Sequence, residues 1–279
     1  MDSITIPEMG ALGTSPRPQS SPPPARSSTS PALSVGWARH QDEVRAAQRL
    51  RYQIFADEMG AKLPENGPGH LPGHDIDRFD DFCEHLLVRD QTTQKVVGTY
   101  RLLTPSQARR AGGLYSESEF DCSALEPLRD DMVELGRSCV HRDHRSGAAI
   151  LALWGALADF MQRNQLQSMV GCASLPLHHP GLTYGEGAAR IWAQLPAKSH
   201  CDAQWRVTPL LALPLREQEL AAQTGGPTVE LPPLVHGYLR MGAKVLGAPA
   251  WDPDFQTADL PIMLQIADLP ARYKRMLGC

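Results

Sequence analysis

Residues 132–161 read MVELGRSCVHRDHRSGAAILALWGALADFM, and this stretch decides the fold. Its first nine residues have strand character, and the turn that follows contains Arg and Gly. Behind the turn, Ile150, Leu153, Trp154, Leu157 and Met161 recur at helical spacing and form a stripe that packs on a sheet. LQSMVGCASL (166–175) then reads as a second buried strand, so the segment is a strand-helix-strand crossover. A helix that opens at a basic, Gly-containing turn presents unpaired N–H groups and a positive dipole end, which predicts a phosphate-bearing ligand.

Upstream, residues 85–89 and KVVGTYRLL (95–103) read as strands, and residues 105–131 as irregular or short-helical. QDEVRAAQRLRYQIFADEMGA (41–61) opens with acids, places Ala47, Leu50 and Ile54 on one face and Arg51 and Phe55 on another, and stops at Gly60, as a helix does. The Pro/Gly-rich stretch 64–73 reads as a loop. Downstream, 176–228 is rich in Pro, His and Gly with one helical patch, EGAARIWAQL. PPLVHGYLRMGAKVLG (232–247) predicts a short helix opening at Tyr238 and ending near Gly242, and DLPIMLQI (259–266) is the last strand. Together these predict an α/β protein with a mixed central sheet flanked by helices. The Pro- and Ser-rich residues 1–36 cannot bury enough apolar area to offset their backbone entropy and are expected to form a disordered leader. Residues 37–279 are expected to form one domain, with 176–230 inserted before the last helix-strand unit.

The 279 residues are 42% hydrophobic and carry a formal charge of −4. This supports a substantial core and argues against a nucleic-acid binder, which needs a basic surplus. No apolar run is long enough to span a bilayer. Six cysteines without a CxxC pair and without a preceding signal sequence read as reduced thiols of a cytoplasmic protein. Cys139, His141 and His144 form C-x-H-x-x-H, with His178 and His179 further on, but the spacing matches no closed metal site, and no metal is expected. His141 is instead a possible proton shuttle.

Asp75, Asp77 and Asp80 lie in HDIDRFD before a strand. They are either a solvated acidic turn or, if desolvated, a seat for an amine or guanidinium; an EF-hand loop is excluded by the missing Gly and Glu. Glu134 and Arg137, three apart on the central strand, are predicted to point to opposite faces. A charged pair in an apolar central strand is either structural or functional, and Arg101 is a mate for Glu134 or Asp77. Tyr238 is either an interfacial aromatic or a phenol that protonates a leaving group.

RYQIF, DIDRFDDFCEHLLV, VVGTYRLL, VELGRSCVHRDHRSGAAI, GCASL and PPLVHGYLRMGA, in this order, resemble the GNAT superfamily and, more narrowly, its acyl carrier protein-dependent ornithine N-acyltransferases. The same blocks resemble acyl-homoserine-lactone synthases at Arg51, Phe55, Asp75, Asp77, Asp80, Arg101, Glu134 and Arg137. The ending GYLRMGAKVLGAPAWDPDFQTADLPIML looks like the ornithine-lipid group, which ranks the lactone synthase second. A GNAT-like binding module without catalysis is a third reading.

At the turn, coenzyme A-dependent GNAT enzymes carry Q/R-x-x-G-x-G/A. Here Ala148 and Ile150 stand where Gly and Gly/Ala would be, and Arg142 and His144 replace the usual Pro and Tyr. The degenerate turn suits the acyl-phosphopantetheine arm of an acyl carrier protein, with no permanently bound cofactor. The resemblance implies transfer of a 3-hydroxyacyl group to the α-amine of ornithine, giving lyso-ornithine lipid. Glu134 is the first candidate for the base and Asp77 the second. Arg51, Phe55, Asp75, Asp80, Arg101 and Arg137 bind substrate, and Arg142, Arg145, Ser146, Gly147 and Ala148 take the phosphopantetheine. Amides near residues 139–141 stabilise the oxyanion, and Tyr238 protonates the thiolate. Arg142, Arg145, Arg109 and Arg110 are expected contacts for the acidic carrier protein. The amphiphilic product implies transient, peripheral contact with the inner membrane.

Overall fold

The computed structural model describes residues 32–63, 69–145, 147–213 and 228–277. In chain order the elements are β1 (Leu33–Trp37), α1 (Gln41–Tyr52), β2 (Glu84–Asp90), β3 (Val96–Leu103), α2 (Pro105–Ala111), β4 (Phe120–Asp121), β5 (Met132–Val140), α3 (Ala148–Arg163) and β6 (Ser168–Pro176). They continue with α4 (Glu186–Gln194), β7 (Thr208–Pro209), α5 (Pro233–Arg240), β8 (Lys244–Val245), β9 (Ala250–Asp252), β10 (Thr257–Gln265) and α6 (Ala271–Leu277).

The central sheet runs β1-β2-β3-β5-β6-β10-β8, with β9 also paired to β10. Every pairing is antiparallel except β5 with β6, the two strands joined by the α3 crossover. The mixed α/β sheet read from the crossover is therefore the fold. Leu153, Leu157 and Met161 of α3 are buried on one sheet face with Leu86, Val88, Leu102 and Val133, as the helical stripe requires. The opposite face packs Leu103, Met132, Val170 and Met263 against α2 and the turns around Leu114, Phe120 and Leu125.

Two boundaries differ from the sequence reading. Leu33–Trp37 pair with Leu86–Asp90 as an edge strand, and Trp37 packs on Phe160 of α3 with ring centroids 4.8 Å apart. The proposed leader thus stops short of residue 36, because one aromatic anchor and a free sheet edge hold these residues despite their Ser- and Pro-rich surroundings. The rest of the leader, residues 1–31, lies outside the described residues, as do 64–68 of the expected loop. Tyr238 does not open its helix: α5 starts at Pro233, a residue suited to a first turn, and Tyr238 sits near its end. Residues 176–230 carry α4 and β7 and add Leu177, Ala188, Ile191 and Leu195 to a core shared with β10. Within that segment, 214–227 lie outside the described residues.

Candidate active site

The site forms where β5 and β6 part. They are paired only from Met132↔Ser168 to Glu134↔Val170, and the split is abrupt. A Cβ added to Gly171 would stand 2.3 Å from the Leu135 carbonyl oxygen, so the last close approach of the two backbones requires glycine. Beyond it a cavity of about 540 Å³ opens, lined by residues 134–140 of β5, by Cys172, Ala173 and Ser174 of β6, and by Tyr238. Arg145, Gly147 and Ile150, around the start of α3, also line it. Gly147 caps α3 with φ +90°, a conformation that favours glycine. Ser146 lies outside the described residues.

Glu134 and Arg137 do not point to opposite faces. Thr99 faces Cys139 while Arg101 faces Gly136, so Arg137 and Ser138 together oppose Tyr100 in a β-bulge. Arg137 takes φ +50° there, and the extra residue resets the alternation so that Arg137 and Glu134 face the same chamber. Strict alternation fails at this one residue.

The acidic triplet is neither a solvated turn nor an open seat for an ammonium. Asp75 and Asp80 are buried and Asp77 partly so, and all are engaged by arginines. Arg51, fully buried, donates to Asp75 Oδ2 at 2.7 Å, to Asp80 Oδ1 and Oδ2 at 2.8 Å each, and to the Asp75 carbonyl at 2.5 Å. Arg101 donates to Asp77 Oδ1 at 2.6 Å and to Asp80 Oδ1 at 3.2 Å. Arg137 reaches Asp75 Oδ2 at 3.1 Å and Asp77 Oδ2 at 3.2 Å. Three guanidiniums thus neutralise three carboxylates. Burial alone would raise Asp77 and Asp80, but Arg101 and Arg137 outweigh it at Asp77, and Arg51 outweighs it at Asp80, so both stay below the usual carboxylate range. An acid held down in this way is a poor proton acceptor, which removes Asp77 as second candidate for the base. Phe55 is buried and lines the cavity on the same side.

Glu134 behaves differently. It is buried, and its carboxylate accepts hydrogen bonds from the Tyr115 N–H at 2.6 Å, the Ser116 N–H at 2.7 Å and the Ser116 hydroxyl at 2.5 Å. Burial raises its pKa, and the Ser116 bonds counter only part of that rise. Arg137 is held between the rings of Tyr115 and Phe255, 4.8 and 4.7 Å from their centroids. Tyr238 donates to or accepts from the Tyr100 hydroxyl, and burial pushes its phenol well above the ordinary value. The pair stands between this cavity and an apolar one lined by Trp154, Leu157, Met169, Ile262 and Leu264.

Other expected residues lie elsewhere. His141 faces Gln53, 3.2 Å away, and Asp143; it does not line the cavity. Its amide is spent on the Val97 carbonyl at 2.8 Å, so it is not an oxyanion donor. Arg145 lines the cavity mouth and donates to Glu58 at 2.8 Å and to the Val140 carbonyl at 2.9 Å, while Arg142 projects into solvent. Arg109 pairs with Asp130 at 3.0 Å on an exposed surface, and Arg110 bonds Gln107. Tyr100, Tyr115, Ser116, Asp252, Phe255 and Asp259 also build or line the site. Tyr100 and Asp259 lie in segments read as strands, but nothing local to the sequence marked any of the six as a site residue.

Residues 50–155 match the family profile described as an acetyltransferase (GNAT) domain. Over 266 residues, covering 88% of this chain and 85% of the relative, the chain is 33% identical to the L-ornithine N(alpha)-acyltransferase of Agrobacterium fabrum. Over 254 residues, 88% of this chain and 89% of the relative, it is 35% identical to the protein of the same name from Brucella abortus. The solved structure of an N-acyl amino acid synthase from uncultured soil microbes superimposes with a TM-score of 0.50 at 11% identity, covering 86% of this chain and 94% of that one, and shows the shared fold. The strand fork, the crossover and these matches lead to one conclusion: this chain is a GNAT-fold acyltransferase and belongs to the L-ornithine Nα-acyltransferase family.

Proposed function

We propose that the protein moves a 3-hydroxyacyl group from the phosphopantetheine arm of an acyl carrier protein to the α-amine of ornithine, forming lyso-ornithine lipid. The observation that carries this reading is the chamber at the fork, which joins three kinds of surface. The opened β5 edge and the start of α3, with Arg145, Gly147 and Ala148, suit an extended pantetheine arm. The apolar cavity behind Tyr100 and Tyr238 suits the first carbons of an acyl chain. The charged wall around Glu134 and Arg137 suits an amino acid.

The incoming amine is largely protonated at neutral pH and must lose a proton to attack the thioester carbon. Glu134 is the acceptor in this proposal, because burial raises its carboxyl above the usual carboxylate range and so makes it a better base than the arginine-paired Asp77 and Asp80. Tyr115, Ser116 and their amides hold it in place. Attack forms the C–N bond and drives charge onto the thioester oxygen, where amides of β5 beyond its last pair with β6 stabilise it. Collapse breaks the C–S bond; Tyr238, neutral and backed by Tyr100, gives its proton to the sulfur, and the second proton of the attacking nitrogen, lost as the amide forms, restores the phenol. Arg137, clamped by two rings, takes the substrate carboxylate. Arg51, Arg101, Asp75 and Asp80 hold Arg137 and the chamber wall in position.

Purified protein supplied with ornithine and 3-hydroxyacyl carrier protein should form lyso-ornithine lipid, detected by mass spectrometry. Absence of product with every basic amino acid tested would overturn the reading, and a lactone formed from S-adenosylmethionine would replace it with the synthase reaction. No helix among the described residues is long and apolar enough to cross a membrane; peripheral contact with the inner membrane, driven by the amphiphilic product, is part of the proposal. Co-sedimentation with vesicles in the presence and absence of product tests that part.

A further inference from the structure

Glu119, Asp252 and Asp259 have no place in the mechanism above, yet Asp252 and Asp259 line its chamber and Glu119 stands beside Asp259. Asp259 lies on β10 opposite Ser174 of β6, and Asp252 on β9 opposite Thr257. Both line the cavity with Arg137 and Phe255. Glu119 arrives from the turn after Ser118, and a carboxylate oxygen of Glu119, one of Asp259 and the Cys172 sulfur all lie within 4.8 Å of one another.

The Glu119 carboxylate is the telling group. Both its oxygens are buried; the Cys172 thiol and the Tyr115 side chain lie near enough to draw its pKa down, but neither forms a hydrogen bond of ordinary geometry with it. Asp259, 5% exposed, is met by the Thr257 hydroxyl at 2.8 Å, and Asp252 accepts from the amides of Asp254 and Phe255, both at 2.9 Å. Among the described residues no Lys or Arg is ion-paired to any of the three; the neighbouring Arg137 forms its ion pairs with Asp75 and Asp77. Burial and mutual repulsion push Glu119 up to about 9 and Asp259 up to about 6. A folded chain gains nothing by gathering like charges in this way. A cation arriving with a ligand supplies the missing partner.

We propose that the carboxyl groups of Glu119, Asp252 and Asp259 form the subsite for the side-chain ammonium of the acceptor amino acid, and so select a basic acceptor. This rests on the ornithine reading above and adds to it the residues that recognise the distal amine. An ammonium offers three N–H donors to three converging acceptors, and Phe255 and Tyr115 flank the methylene stem. Glu134, Arg137, Asp252 and Asp259 line one cavity, so an amino acid can place its α-amine and carboxylate at Glu134 and Arg137 and extend its side chain to the acids. A metal ion is the competing occupant, but burial keeps the Cys172 thiol well above its ordinary value, so that ligand is an S–H rather than a thiolate.

The test compares L-ornithine with L-norvaline, which has the same carbon skeleton without the distal amine, in the full-length protein with the acyl carrier protein donor. Wild type should favour ornithine in kcat/KM on the order of 100-fold or more. Glu119→Gln and Asp259→Asn should each cut that preference at least about tenfold, through a higher KM for ornithine and with norvaline turnover retained. Near pH 8 Glu119→Gln removes a group that must take up a proton to fold and Asp259→Asn removes a buried charge without a cation, so each should melt at or above the wild-type temperature, and either one alone suffices for the comparison. Preference retained within about twofold in a folded variant would overturn the inference while leaving the ornithine reading intact. Wild type that accepts no basic amino acid would overturn the reading itself, and the inference with it. Stoichiometric zinc in the purified protein, with ornithine preference lost on chelation, would overturn the ammonium subsite in favour of a metal.

Discussion

Replacing Arg51 with Met removes one of the three positive charges from the buried network and leaves three carboxylates facing two guanidiniums. Asp75 keeps Arg137 at 3.1 Å, and Asp80 keeps Arg101 at 3.2 Å, but both lose their shortest contacts, at 2.7 and 2.8 Å. Breaking a buried pair by deleting one partner costs about 3–5 kcal/mol, whereas replacing the whole network by apolar groups would cost far less. For a domain of this size that loss corresponds to roughly 6–20 °C in Tm.

The deficit should depend on pH. In the wild type Asp80 is held below its unfolded value, so its contribution is present above about pH 4 and is lost as the pH falls towards the folded value. Arg51→Met abolishes most of that contribution. The stability gap between the two proteins should be widest near pH 7 and should narrow below about pH 4. Urea titrations of both proteins across this range measure it. Adding Asp80→Asn to Arg51→Met should restore at least about 1 kcal/mol, because it removes the stranded charge. A loss under about 1 kcal/mol at neutral pH, or a gap of the same size at both ends of the range, would refute the account of the network as a mutually neutralising buried cluster.

Gly171→Ala should destabilise by about 1–3 kcal/mol and lower activity, because the Leu135 carbonyl at 2.3 Å from the new Cβ belongs to backbone and cannot swing away; a denaturant midpoint equal to wild type would contradict the tight fork. Tyr238→Phe should lower kcat by about 100-fold or more with little change in the KM for the carrier protein, and unchanged kcat would remove the phenol from the mechanism. It should also lower stability by about 1 kcal/mol, since the Tyr100 hydroxyl loses its bond to Tyr238 and keeps Ser138. Glu119 holds its proton to about 9 in the folded chain, against about 4.3 unfolded, so its contribution favours folding at low pH and is lost as the pH rises through the folded value. Glu119→Gln, neutral throughout, should therefore gain in Tm over wild type between about pH 5 and pH 9, and parallel melting curves across that range would refute the raised value.

The crossover was readable at residues 132–161 because its signals are local: a strand, a turn with Gly147, then Leu153, Leu157 and Met161 one helical turn apart. The charged positions Arg51, Asp75, Asp77, Asp80, Arg101, Glu134 and Arg137 were equally visible, since charges in otherwise apolar segments stand out. Their pairing was not. Which carboxylate meets which guanidinium depends on bringing α1, the loop before β2, β3 and β5 to one point, and periodicity within a segment says nothing about distances between segments.

The face of Arg137 turned on a bulge, a single-residue break in an alternation that sequence reading must assume to be regular. Glu119, Asp252 and Asp259 carry no pattern at all, being separated by up to 140 positions and joined only when β10 pairs with β6. Sequence alone thus determined the elements and the kinds of chemistry available. Tertiary structure decided which acids are already neutralised by arginine and which stand without a cation, because burial and Coulomb interaction depend on distance in space and not along the chain.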